Sequence, residues 1–318
     1  MTTSTIHDIG YRHYEGRRLG RAYVLRSQYV HNLRAAFGLG RPARAKVMPF
    51  LLGAVMLLPA AASVAILGFA KEPDVLIRYS SYALIMQVVV AIFLATQAPV
   101  IASRELRFHS VPLYFSRPVG HLDFVLAKFG AFVTAIFIML AVPVTLLYVG
   151  ALVTRPDKMD PVIQPADGGN GEMGGESAVK PDSLVDHTLH YFGGLAGCLL
   201  FALVLAAIGL VIAAFTTRRG LGVAAVIAVY MISSTIVVII QGIAENQAGN
   251  FTVSGWAGLF SPFNLVDIVQ VRLLGAELTA PAAPSGVMGG LVALAVCLAL
   301  VAGSIAVLYR RFRKAGLS

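Results

Sequence analysis

Long stretches of this chain carry no charge at all. Five windows of 24 to 32 residues, 47–70, 79–103, 129–154, 220–244 and 278–309, contain no Asp, Glu, Lys or Arg. A sixth, 188–217, has His190 as its only ionisable interruption apart from Cys198 and Tyr191. About 20 apolar residues in a helix cross a bilayer, so each window is long enough. The pattern predicts an all-α polytopic membrane protein with six transmembrane helices at about 47–70, 80–102, 129–153, 190–215, 220–243 and 287–309.

Between the windows the pattern changes. In 17–37 the apolar residues Leu19, Tyr23, Val30, Leu33 and Phe37 recur at helical steps, with Arg17, Arg18, Arg21 and Arg34 off that stripe. This predicts an amphipathic elbow helix in the membrane interface, ended by Gly38–Pro42. Segment 103–128 is too polar to span and too apolar to float freely. Arg104, Glu105 and Arg107 open it, Asp123 and Lys128 close it, and Pro112 and Pro118 divide it. Leu106, Val111, Leu113, Tyr114, Phe115, Val119, Leu122 and Phe124 require something to pack on. Short helices along the inner, cytoplasmic membrane face, open to a soluble partner, fit that composition.

Residues 155–187 are acidic and rich in Gly and Pro, which predicts a mobile loop without a core. At its end His187 and His190 share a helical face, a weak metal-binding geometry. Residues 246–266 also lack Asp, Glu, Lys and Arg, but their Gly, Pro, Asn and hydroxyl content and Trp256 suggest short outer helices, re-entrant or interfacial, rather than a seventh span. Candidate pathway or gate residues are Gln87, Gln97, Trp256, Phe260 and Phe263.

Composition fits a membrane protein: 57% apolar, 13% charged, mean hydropathy +0.77. The first 46 residues are polar and basic, so the first span is expected to direct insertion. With the N-terminus inside, 19 of the 25 Lys and Arg lie on inner segments and 12 of the 16 acids lie outside. Six spans then leave both termini cytoplasmic, 1–46 and 310–318, with 155–187 extracellular. The net charge of +9 reads as a topology signal and an attraction to anionic membrane lipid. No soluble basic surface with base-reading groups points to nucleic acid. Cys198 and Cys297 lie in apolar windows and read as packing residues.

Several chemistries are excluded. The six lysines precede Val47, Glu72, Phe129, Met159, Pro181 and Ala315, so no P-loop lysine followed by Ser or Thr exists. There is no His-Glu-x-x-His, and no histidine at the middle of a span to serve as an intramembrane base. No Asp, Glu or His sits at mid-depth in a span, which argues against proton coupling. A polar-poor bundle suits lipophilic or amphipathic cargo and requires an external motor.

The 103–128 stretch resembles the Leu-x-Ser-Arg-Pro … Asp/Glu-aromatic … Lys region of permease subunits of type-two ABC exporters, on Leu113, Ser116, Arg117, Pro118, Asp123, Phe124 and Lys128. Gly120-His121 departs from the basic residue frequent there. Ser261–Asp267 resembles the stretch before the last span of such permeases. Leu33–Pro49 resembles the approach to the first span in actinobacterial members. The resemblance implies a permease in the plasma membrane with no catalytic, cofactor or metal site of its own. Its partners would be a second permease copy, identical or paralogous, and a P-loop ATPase subunit binding ATP and Mg. Arg104, Glu105, Leu106, Arg107, Leu113, Tyr114, Arg117 and Asp123 would form the segment seated on that ATPase. A mechanotransmission or maturation complex of similar fold, a secondary transporter and a membrane enzyme without a recognisable motif are the alternatives.

Overall fold

In the computed structural model the described residues are 20–70, 77–108, 111–115, 120–154, 162–164, 177–179, 184–216, 218–246, 249–276, 278–279 and 282–317. The elements are α1 (Arg21–Ala36), α2 (Ala43–Ala70), α3 (Tyr82–Ile85), α4 (Gln87–Ile101), α5 (Ser103–Arg107), α6 (Val111–Phe115), α7 (His121–Thr154), β1 (Val162–Gln164), β2 (Ser177–Val179), α8 (Leu184–Phe215), α9 (Arg219–Asn246), α10 (Phe251–Ala257), α11 (Pro262–Leu273) and α12 (Gly286–Leu317). A 3-10 turn, Gly258–Phe260, precedes α11. Among the described residues the fold is helical, apart from β1 and β2, which pair antiparallel with Val162 opposite Val179.

Five helices, α2, α7, α8, α9 and α12, are long and apolar enough to cross a membrane. They coincide with five of the six charge-poor windows, and four of them, α2, α7, α8 and α9, start earlier in the chain than those windows do. The exception is 80–102. It is not one helix: α3 stops at Met86, whose backbone (φ −89°, ψ 14°) leaves the helical region. Tyr82 is held in place there, its hydroxyl donating to the Met56 carbonyl of α2. The remaining α4 has 15 residues, about 22 Å at 1.5 Å per residue, short of the ~30 Å hydrocarbon core.

Contacts between the helix ends give the directions of α1, α2, α4, α7, α8 and α12. The start of α7 meets the end of α12 through Phe124 and Phe312 and the start of α1 through Asp123 and Arg21. The end of α8 is there too, its Ala214 carbonyl accepting from Arg311. At the opposite end, Gly150 of α7 lies against Val64 of α2, and Gly194 of α8 against Tyr79. Thus α3 and α4 carry the chain back from the Tyr79 end to the Lys128 end. α1 and the last turns of α12 share that second end. The core lies along α7 and α8, with Phe132, Ile136, Leu140, Phe201, Leu205 and Leu210 almost wholly buried.

The α1–α2 corner depends on Gly38, at φ +67°. A Cβ there would lie 2.3 Å from the Ala45 carbonyl oxygen, so both the conformation and the contact require glycine. Among the described residues of 246–266, Asn246 ends α9 and 251–266 form α10, the 3-10 turn and the first part of α11. Every residue from Phe263 to Gln270 is buried, so α11 is wrapped by neighbours, chiefly α8 and α12. Of the 155–187 loop only β1, β2 and the start of α8 fall among the described residues.

Candidate functional site

The densest polar construction at the α1–α7–α12 end centres on Lys128. It lies in the second turn of α7 and is 2% exposed. Its ammonium pairs with Glu105 of α5 at 2.8 Å. It donates to the Ile101 carbonyl at 2.7 Å and reaches Asn32 Oδ1 of α1 at 3.4 Å. Ile101 ends α4, where helix carbonyls lack intrahelical donors and carry partial negative charge. The rings of Phe124 and Phe312 flank the ammonium at 5.0 and 5.9 Å, a favourable cation–π setting in a desolvated place. One side chain therefore joins α1, α4, α5, α7 and α12.

Asp123 sits in the first turn of α7, where a carboxylate is favoured by the helix dipole. Arg21 grips it with Nε and Nη2, both at 2.6 Å. Tyr29 adds a hydroxyl bond to Thr134 at 2.9 Å, so α1 is fastened to α7 at two levels. Arg21 is 75% exposed as a side chain, so solvent screens this pair. Arg21→Ala is expected to lower the unfolding temperature modestly at low salt, with the difference shrinking in high salt. Thermal unfolding in a neutral detergent at two ionic strengths checks this.

The segment after α4 is anchored on one side and open on the other. Val111 is buried, Leu106 and Tyr114 pack on the core, and Tyr114 meets the Phe124 ring at 5.4 Å. Arg104 and Arg107 are exposed. Phe108 is 68% exposed, with the Arg107 guanidinium 5.6 Å from its ring. Nearby, burial holds the His31 imidazole below its ordinary value. Glu105 opposes that shift, and Lys128, Arg104 and Arg41 reinforce it.

The structure therefore gathers Glu105, Leu106, Tyr114 and Asp123 at one end and turns Arg104 and Arg107 outward from it. Leu113 lies on α6; Leu19 and Arg117 fall outside the described residues, as do Arg17, Arg18, Ser116 and Pro118. On α1, Tyr23 is 55% exposed, Val30 is half-buried, and Leu33 and Phe37 rest on the core, with Phe37 6.3 Å from the Phe93 ring. Gln87 is half-buried and Gln97 buried, with Gln97 donating to Thr96 Oγ1 at 3.3 Å. Phe263 is a core residue against Phe201 and Tyr230, whereas Phe260 is exposed and Trp256 partly so.

The other end holds features that charge and hydropathy patterns do not show. Tyr148 stacks on Tyr191 at 4.2 Å and on His187 at 5.6 Å, and Tyr79 shares a hydrogen bond with His187 at 2.9 Å. His187 is thus part of an aromatic cluster. Among the described residues no three His, Cys, Asp or Glu side chains group as a metal would need. On α11 the buried polar residues Asn264, Asp267 and Gln270 recur every third position. Asp267 lies outside every charge-free window, so the survey of spans for titratable groups passes over it. The spacing Asn-x-x-Asp-x-x-Gln is the sequence signal that would have found this face. Cys198 and Cys297 are buried free thiols.

No protein-family model matches the chain, and no curated protein matches it.

Proposed function

We propose that this chain is the membrane-spanning permease subunit of an ATP-binding-cassette exporter in the plasma membrane. It would form a path for lipophilic or amphipathic cargo and be driven by a separate P-loop ATPase subunit that holds ATP and Mg. The observation that carries this reading is the α5–α6 segment. Its inner side is tied to the bundle through Glu105 and Lys128, while Arg104, Arg107 and Phe108 face outward. A soluble partner pressing on that outer side would act directly on the ends of α4, α7 and α12. The resemblance in 103–128 supports the same role, and the lack of a P-loop lysine suits a subunit whose motor is another chain.

In this reading α3 and α4 together make the sixth crossing. Their 20 residues from Tyr82 to Ile101 would rise about 30 Å. Both termini are then cytoplasmic, α1 is the elbow, and α10–α11 form an outer gate. A second permease copy completes the pore.

The test is co-purification. The tagged chain is extracted from its native membrane in mild detergent and its companions are identified by mass spectrometry. A P-loop ATPase near one-to-one stoichiometry is the expected result. A chain that purifies alone across several mild detergents would overturn the reading in favour of a secondary transporter or a membrane enzyme.

A further inference from the structure

The outer face of α1 points to a ligand of its own. At 100° per residue, Tyr23, Arg26, Val30 and Arg34 fall on one stripe, spaced three, four and four apart, so Arg34, expected off the apolar stripe, lies on it. The buried residues Asn32, Ala35 and Ala36 lie on the opposite face. Tyr23, Arg26 and Arg34 are exposed and Val30 is half-buried. The stripe therefore alternates apolar bodies with guanidinium groups.

The corner beyond it continues the pattern. Arg44 and Lys46 are exposed at the start of α2, followed by the exposed apolar residues Val47, Met48, Phe50 and Leu51. From 20 to 46 the sequence contains no Asp or Glu. The two acids described at this end are already engaged, Asp123 by Arg21 and Glu105 by Lys128. Arg26, Arg34, Arg44 and Lys46 form no ion pair among the described residues. Four exposed cations beside exposed apolar side chains match an anionic phospholipid, with the phosphate on the cations and the acyl chain along Tyr23, Val30 and the start of α2.

We infer that the α1–α2 corner binds the headgroup of an anionic phospholipid, and that this lipid braces α1 against α7. The link inward is short, because α1 also supplies Arg21 to Asp123 and Asn32 to Lys128. The inference requires membrane embedding and holds whether or not an ATPase is the partner.

The test is thermal unfolding of the full chain in a neutral detergent, titrated separately with phosphatidylglycerol, phosphatidylcholine and inorganic phosphate. Phosphatidylglycerol is expected to raise the unfolding temperature, while the other two leave it unchanged. Each juxtamembrane cation contributes enough that Arg34→Gln alone weakens the phosphatidylglycerol response about fivefold. A chain with R26Q, R34Q, R44Q and K46Q together is expected to lose the response while unfolding normally in phosphatidylcholine. An equal rise with phosphatidylcholine would overturn the inference, as would a response retained in the fourfold variant. A rise with inorganic phosphate alone would show a free-anion site in place of a lipid site.

Discussion

Glu105→Ala is expected to lower the unfolding free energy by about 3–5 kcal/mol, the usual consequence of leaving one partner of a buried pair behind. The ammonium of Lys128 would stay 2% exposed, held by the Ile101 carbonyl, a long contact to Asn32 and two ring faces. None of these supplies a counter-charge. Removing both partners should behave differently. In Glu105→Ala with Lys128→Met, the flexible thioether fills the ammonium's channel between Phe124 and Phe312 without a charge to compensate. Most of the lost stability is then expected to return, because apolar replacement of a buried pair is often neutral or better. Chemical unfolding in detergent of the three proteins measures this directly. If Glu105→Ala unfolded like the parent chain, the pair would not hold α5 to α7.

The double variant also separates folding from coupling. It keeps the bundle but removes the direct polar tie between α5 and α7. Under the permease reading, the assembled complex should retain its ATPase partner and lose cargo transport. Transport at the parent rate would show that force does not travel through this tie.

What the sequence made legible follows from what a bilayer demands. Backbone polar groups in hydrocarbon must be bonded internally, so charge-free runs become helices, and five of the predicted crossings appear as single long helices. The 80–102 window has the same composition, and hydropathy does not register the turn at Met86 or the bond from Tyr82 to α2 that accompanies it. The site around Lys128 was half visible. Glu105 and Lys128 stood out as charges bounding an apolar segment, yet their pairing depends on how α4 ends and α7 begins, which no local pattern encodes. Asn32 gave no signal, being one polar residue on a helix otherwise read by its arginines and apolar stripe. The α11 face was missed for another reason. Asn264, Asp267 and Gln270 read as ordinary loop polarity unless α11 is known to be buried on all sides.

That burial makes Gly197→Ala the second change with a large expected effect. A Cβ at 197 would lie 1.4 Å from Gln270 Nε2 and 2.4 Å from its Cδ. Gln270 is 1% exposed, so its amide must be displaced within the packed interior or α8 and α11 must move apart. Overpacking of this kind typically costs about 1–3 kcal/mol. Close approach through small residues is the usual means by which membrane helices gain packing, so the loss falls on the joint between the central helix and the proposed outer gate. Gln270 also makes the test two-sided. Neither its Nε2 nor its Oε1 has a hydrogen-bond partner among the described residues, and an unpaired buried amide is unfavourable. Gln270→Ala removes that penalty and leaves a cavity, which oppose each other, so a small net change is expected. In the double variant the new methyl at 197 occupies part of the vacated room, and stability should rise well above that of Gly197→Ala alone. Thermal unfolding of the two single variants and the double gives the coupling between the sites. Simple additivity would mean that Gln270 does not sit in the Gly197 notch, and a pronounced rescue would place the contact between α8 and α11 at these two residues.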